Sequence, residues 1–375
     1  MQYFFLCRNG NSICTATLLR MPWGSVFGGN NMQRRFPALK VARPRRMAGS
    51  IAVSLAAAVA LTASPNSAHA DEKGISFWLP GQFGSFASVP GSPGWSGTSV
   101  YYHTSVGAGA SANFQQGKNI VAGLGGQGDI ALNGVTYTFA QPIAGGQFAL
   151  SMLYVAGHNA ASVDATLTGP LGRQISGSRS DSLTAFGDLI PQSTLKWNNG
   201  VNNFMIYGTG DIPVGSYDPN RLANLGIGHG AIDGGAGYSY LNPTTGWEFS
   251  ATGGLTYNFE NTATHYQNGV DGHLDWGISR FLTQQFDIGA VGYFYQQLTG
   301  DSGSGDRIGA FESSVAAIGG QANYLFPIGD KLKGVAGIKI YKEVYSQNRP
   351  DGWNAWLTFN ISEAMAQAKP VVAKY

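Results

Sequence analysis

The sequence predicts an all-β protein, a closed antiparallel transmembrane β-barrel of about 12 strands. Three observations carry this. The first is composition: 54 glycines in 375 residues and only 12% charged side chains, against about 7% glycine and about 25% charge in ordinary soluble domains. Mean hydropathy is nevertheless −0.07, which excludes a bundle of apolar helices and suits residues that alternate between lipid and water. The second is period-two patterning. Along 247–259, Trp247, Phe249, Ala251, Gly253, Leu255, Tyr257 and Phe259 share one face, and Glu248, Ser250, Thr252, Gly254, Thr256 and Asn258 the other. Side chains of a strand point alternately to its two faces, so this is a strand with one oily and one wet side. The third is the spacing between such strands, in which long and short connections alternate.

The chain opens on a basic segment. Residues 1–70 hold Arg8, Arg20, Arg34, Arg35, Lys40, Arg43, Arg45 and Arg46 and no acid, which leaves 15 basic and 21 acidic residues and a net −6 for the remainder. An acidic mature protein argues against nucleic acid as a partner. Arg43-Pro44-Arg45-Arg46, the apolar run from Met47 to Ala63 and the small-residue stretch ending Ala68-His69-Ala70 form the three parts of a secretory signal. Residues 1–70 are therefore expected to be a signal-peptide region cleaved after Ala70, with Met32 or Met47 a better natural start than Met1. Cys7 and Cys14 both lie within it, so the mature region has no thiol.

Residues 71–97 do not alternate. Pro80, Pro90 and Pro93, with Gly74, Gly81, Gly84, Gly91 and Gly94, break strands. Either a loop folded into the barrel lumen as a plug or a plain periplasmic tail fits. The barrel is expected over 98–361, with strands at 98–107, 129–140, 146–156, 186–197, 202–212, 230–242, 246–260, 268–282, 285–298, 312–325, 332–345 and 353–361. Long connections fall at 108–128, 157–185, 213–229, 261–267, 299–311 and 346–352, and short turns between them. Bacterial barrels have an even strand number, short periplasmic turns and longer external loops, so both barrel termini are expected to be periplasmic. Residues 160–169 leave room for a hairpin arm or two further strands. In the last strand Trp353, Ala355, Leu357, Phe359 and Ile361 oppose Asn354, Thr358 and Asn360, with Trp356 on the polar side as an exception. Tyr101, Tyr102, Tyr154, Trp197, Tyr257, Tyr293, Tyr295, Tyr341 and Trp353 are expected, among others, to form interfacial girdles or lie on oily faces. Residues 362–375 read as a C-terminal tail.

Several of these stretches resemble one known family. They are Phe77-Trp78-Leu79-Pro80-Gly81, Thr245-Gly246-Trp247-Glu248-Phe249-Ser250, Asn258-Phe259-Glu260-Asn261, His273-Leu274-Asp275-Trp276, Gly292-Tyr293-Phe294-Tyr295-Gln296-Gln297, Asp301-Ser302-Gly303, Glu343 and Asn348-Arg349. Together they resemble the outer-membrane family of the MetA pathway of phenol degradation, also called SphA-like. The likeness covers nearly all of 71–361 and is densest from 230 onward; Gly319-Gly320 stands where Gly-Pro is common in the family. It implies a barrel in the outer membrane of a Gram-negative bacterium that passes hydrophobic, often aromatic, small molecules, and it brings no established binding residues.

The polar face yields the candidate site. Asp271, His273 and Asp275 alternate on one side of 270–282, and Lys339 shares a face with Tyr341 and Glu343 opposite Ile338 and Ile340. With Glu248 these are expected to face the lumen, either as a binding or gating cluster or as a solvated wall in which the acids pair with basic residues such as Lys339. No G-x-S-x-G marks a nucleophile, and an enzyme is not expected. No His-x-x-x-His is present; Asp211, Asp218 and Asp233 around 213–229 read as loop solvation more readily than as calcium ligands. Gly123-Leu124-Gly125-Gly126-Gln127-Gly128 lacks the lysine and helix of a phosphate loop and reads as external loop. The sequence thus predicts no cofactor or metal. Its expected partners are outer-membrane lipids and lipopolysaccharide, the barrel-assembly machinery and a small hydrophobic or aromatic substrate. A non-transporting surface protein is the alternative.

Overall fold

A computed structural model describes residues 76–116, 119–168, 174–310 and 312–364; the leader expected over 1–70 and the tail beyond Ala364 lie outside them. Twelve strands follow in order: β1 (Gly94–Gln116), β2 (Asn119–Thr138), β3 (Gln147–Thr168), β4 (Gln174–Asn199), β5 (Asn202–Asp211), β6 (Ala231–Asn242), β7 (Trp247–Asn258), β8 (Asp271–Phe281), β9 (Phe286–Gln297), β10 (Ser314–Ile328), β11 (Leu332–Gln347) and β12 (Asp351–Glu363). Each pairs antiparallel with its sequence neighbour, and β1 pairs with β12 from Ser96↔Ser362 to Gly107↔Asp351, which closes the barrel and removes its edges. A strand of 12 residues such as β7, at about 3.3 Å per residue and a tilt of about 45°, spans about 28 Å along the barrel axis. That is close to the thickness of a bilayer's hydrocarbon core.

Polarity is inverted relative to a water-soluble core. Ile206, Ile232, Leu255, Leu274, Ile288, Ile318, Ile340 and Leu357 are exposed on the outer face, whereas Glu248, Asp271, Asp275, Asp287 and Gln297 are at most 1% exposed inside. Such a distribution is stable only if the outside is apolar. Inside, Tyr102, Leu132, Met205, Tyr207, Tyr293, Tyr295, Tyr341 and Trp356 pack with Trp78 of the N-terminal segment into one buried cluster.

The structure corrects four expectations. The long loops expected at 108–128, 157–185 and 346–352 are largely strand. The ladder of β1 with β2 runs on to Gln116↔Asn119, that of β3 with β4 to Thr168↔Gln174, and the β11–β12 connection shrinks to 348–350. Beyond a membrane both faces of a strand meet water, so the hydrogen-bonded ladder continues while the oily-wet alternation that marks it disappears. For the same reason Gly123–Gly128 lies in β2 rather than in a loop. Tyr102, Tyr293, Tyr295 and Tyr341 are not girdle residues but buried inside; their place in the alternation, not their type, sets their side. Trp356 is also inside, tilted against Tyr102 at 4.5 Å between ring centroids, and donates from Nε1 to Asn354 Oδ1. The barrel begins at Gly94 and ends at Glu363, somewhat outside the expected 98–361, and Trp95 N donates to Glu363 Oε1 beside the short 139–146 turn.

The long connections that remain, 212–230, 259–270 and 298–313, lie at one end of the barrel, the loop end. The turn end carries the short connections and both barrel termini.

Candidate functional site: the lumen latch and the apolar cavity

Residues 76–93 cross the interior, anchored by the inward faces of β6, β7, β8, β10 and β11. The local chain conformation follows from the sequence. Leu79-Pro80-Gly81-Gln82 is a turn closed by Gln82 N donating to Leu79 O. Proline presets its second position, and the third needs the positive φ (+88°) that Gly81 supplies. A Cβ on Gly81 would also lie 3.0 Å from ring atoms of both Tyr293 and Tyr341, so glycine is required twice over.

This turn presents its backbone to charged side chains. Asp275 accepts from Gly81 N at 2.9 Å and Phe83 N at 3.0 Å. Lys339 Nζ donates to the carbonyls of Gly81 at 2.5 Å and Gln82 at 3.0 Å, and lies 5.0 Å from the Trp356 ring centroid. Glu248 accepts from Phe86 N at 2.9 Å and Ser85 Oγ at 2.5 Å, and Ser88 N donates to Ser239 Oγ at 3.0 Å. Gln321 of β10 donates to Ser85 Oγ. Fixed charges thus satisfy the N–H and C=O groups of an irregular segment that forms no ladder of its own.

A second contact holds Trp78. Its ring stacks on the His273 imidazole at 3.5 Å between centroids and 14° between planes. Nε2 of that imidazole is 2.8 Å from Asp233 Oδ2, which also accepts from Thr256 Oγ1 at 2.6 Å, and the Tyr207 ring lies 6.1 Å from that of Trp78 between centroids. Trp78 is 1% exposed.

All six predicted polar residues face inward, in three separate places. Glu248, Asp275 and Lys339 hold the segment, and His273 packs on it. Asp271 lies nearer the loop end and accepts from Asn258 Nδ2 at 2.9 Å. Glu343 accepts from Tyr293 Oη at 2.9 Å and Gly352 N at 2.5 Å. For Glu248 and Asp275 the expected pairing with Lys339 is replaced by bonds to the N-terminal backbone, because a segment with unpaired N–H groups occupies the space between them; Asp271 and Glu343 bond Asn258, Tyr293 and Gly352 instead. Sequence reasoning missed Tyr207 and Ser239 and read Asp233 as loop solvation, although the alternation along β5 and β6 carried the signal for all three. Asp211, Asp218 and Asp233 do not converge: Asp233 is inside on β6, Asp211 faces a cavity, and Asp218 bonds within its own loop to Asn220 N. Among the described residues no three His, Cys, Asp or Glu side chains are grouped to hold a metal ion.

Above Trp78, towards the loop end, lies a cavity of about 160 Å³. Phe77 and Leu79 form its floor, Leu124, Ile130, Leu132, Val155 and Ile190 its wall, and Leu222, Leu225 and Ile227 of the 212–230 loop its roof. The roof is pinned. Arg221 makes a two-pronged contact with Asp181 at 3.1 and 2.8 Å and donates to Ser182 O at 2.7 Å; the carboxylate holds the guanidinium pKa above its ordinary value. Asp188 sits where the β3–β4 register shifts, and accepts from Gly215 N at 2.7 Å and Ile227 N at 2.8 Å, tying both arms of the loop to the wall.

A closed twelve-strand barrel with charged inner and apolar outer faces is now established, and comparison with known proteins gives its family. Residues 109–359 match the family described as "Putative MetA-pathway of phenol degradation". The chain belongs to that family. Among solved structures it is similar to the COG4313 outer membrane channel from Pseudomonas putida F1, at TM-score 0.57 and 13% identity over 74% of this chain and 98% of that one. At this identity the likeness concerns the fold, which is that of outer-membrane channel barrels. A FadL homologue from Pseudomonas aeruginosa (TM-score 0.33, 8% identity, 71% and 89% covered) and the translocator domain of the autotransporter NalP from Neisseria meningitidis (0.36, 12%, 74% and 91%) are more distant. No curated protein sequence matches the chain.

Proposed function

We propose that this family member is an outer-membrane channel that admits small hydrophobic or aromatic molecules by passive diffusion. It would be delivered by a cleaved leader and inserted by the barrel-assembly machinery among phospholipid and lipopolysaccharide. The observation that carries the reading is the mainly apolar cavity left inside the barrel above the segment that crosses it. A water-filled pore for hydrophilic solutes has a continuous polar lining. Here the segment 76–93 lies across the path, and most of the side chains lining the cavity above it are apolar. Apolar enclosures of this kind suit ligands with few polar atoms. The loop end then faces outward, with Leu222, Leu225 and Ile227 between solvent and the cavity.

The filled lumen is also what a non-transporting surface protein would have, and one experiment separates the two. Uptake of labelled toluene and of labelled arabinose is compared in a strain lacking the protein and in the same strain carrying it on a plasmid. The proposal expects toluene uptake to fall several-fold on deletion and to recover on complementation, with arabinose unchanged. Equal toluene uptake in all strains would leave the non-transporting reading standing.

A further inference from the structure

We infer that the outer wall formed by β11, β12, β1 and β2 carries a docking site for lipopolysaccharide, which holds the phosphorylated sugar head of that lipid at the loop-end rim of the barrel. Outward residues of β12 run from Ile361 near the turn end through Phe359 and Leu357 to Trp353. At about 3.3 Å per residue and a tilt of about 45° this is about 19 Å of wall, against an apolar band about 25 Å tall with aromatic girdles at its rims. Trp353 therefore stands at the upper rim. With the loop end outside the cell, that is the headgroup level of the outer leaflet. From β5 to β7 no Asp, Glu, Lys or Arg faces outward at any height. Around Trp353, by contrast, charged and polar side chains gather at one height.

Three ladder rows arrange them. Lys342, Trp353, Ser105 and Gln127 are in register across the four strands; below them stand Ile340, Ala355, His103 and Asp129, and below those Ile338, Leu357, Tyr101 and Ala131. Trp353 is 43% exposed, and its ring lies 4.8 Å from the His103 imidazole between centroids. Lys342 is exposed beside it and donates to Gly352 O at 3.1 Å. Asp129 Oδ1 accepts from Tyr101 Oη at 2.5 Å and lies 2.7 Å from His103 Nδ1. The carboxylate is thus engaged in orienting the imidazole, whose Nε2 has no hydrogen-bond partner among the described residues. This arrangement matches an amphiphile with a phosphorylated sugar head. The Lys342 ammonium meets a phosphate. The Trp353 ring takes the apolar face of a sugar, as an amphipathic aromatic at the interface can. His103, Ser105 and Gln127 offer donors and acceptors to its hydroxyls. Acyl chains lie on Ile338 and Leu357 below. A glycerophospholipid supplies the phosphate but has no sugar ring for Trp353.

The test uses the full chain refolded from inclusion bodies into detergent, free of cellular lipid, and reads bound lipid by native mass spectrometry. The probes are bisphosphorylated lipid A, the same lipid A with both phosphates removed, and phosphatidylglycerol. One molecule of bisphosphorylated lipid A is expected to bind about tenfold tighter than either of the others, the scale of one charged hydrogen bond. Lys342→Gln should bring it down to the dephosphorylated form. Trp353→Leu should bring it down to phosphatidylglycerol. Arg280→Gln removes an outward charge at the turn end and should change nothing. Heat-modifiable gel migration confirms that each variant is a folded barrel, and the lysine variant, an exposed change, decides the matter if the tryptophan variant does not fold. Phosphatidylglycerol binding as tightly as lipid A, no binding of lipid A, or a loss in Arg280→Gln equal to that in Lys342→Gln would overturn the inference. None of these results bears on the cavity, so the channel proposal stands or falls on the uptake experiment alone.

Discussion

Replacing Asp275 by alanine removes the acceptor of two backbone N–H groups, those of Gly81 and Phe83. Each hydrogen bond to a charged partner contributes about 1.5–3 kcal/mol, so the pair holds the 79–83 turn by about 3–6 kcal/mol. The change also leaves Lys339 close to the turn without its nearby counter-charge, still donating to the Gly81 and Gln82 carbonyls. Glu248 and Ser239 keep residues 85–88 in place. The expected result is a segment that stays tethered near Ser88 and lifts off the wall at Gly81, its open state favoured by a factor of about 150 or more. Planar-bilayer conductance reads this directly: frequent openings in Asp275→Ala, against rare ones in the unaltered protein. Asp275→Asn keeps one carbonyl acceptor and should fall between them. If the alanine variant migrates as a folded barrel and conducts like the unaltered protein, the carboxylate is not what holds the segment.

Two further predictions concern the roof and the outer wall. Arg221→Ala removes the two-pronged contact with Asp181 and the bond to Ser182 O; the pair is partly solvated, so the loss loosens the loop without unfolding the barrel. Protease added to intact cells should then cut the 212–230 loop several-fold faster while the barrel survives, and an unchanged cleavage rate would mean that Arg221 does not pin the roof. Leu274→Arg puts a charge on the outer face of β8, where Leu274 is 44% exposed. Near the membrane midplane this costs about 2–4 kcal/mol, read as a lower urea midpoint for the protein folded into lipid vesicles; an unaltered midpoint would contradict the lipid-facing assignment.

What was legible in the sequence depended on where lipid lies. Along β7 and β8 lipid on one side and a polar interior on the other produce strict alternation, and Glu248, Asp271, His273 and Asp275 could be assigned to the inner face residue by residue. The same logic fails above the hydrocarbon, where Val163↔Arg179 and Asp164↔Ser178 continue the β3–β4 ladder with water on both sides and no contrast in polarity. Aromatic type was a poor guide to side, since Tyr293 and Tyr341 are inside and Tyr257 and Tyr324 outside. The identity of the partners was least legible. Asp275 and Lys339 meet residues 81–83 across more than 190 positions of chain, and a segment with no periodicity of its own gives no register from which to read such contacts. The Pro80–Gly81 turn was visible as a strand breaker, but not as the piece that those charges grip.

Residues 76–93 lie inside the barrel and are bonded to its inner wall. The most direct measurement is a cross-link in a chain whose Cys7 and Cys14 are replaced by serine, leaving no other thiol. Ser85 and Ser279 have hydroxyl oxygens 3.5 Å apart, so Ser85→Cys with Ser279→Cys should form a disulfide in the folded barrel, seen as a mobility shift reversed by reductant. Ser85→Cys with Leu274→Cys, on the outer face of the same strand, should form none. Failure of the first pair to cross-link under mild oxidation, or equal cross-linking of both pairs, would contradict the placement.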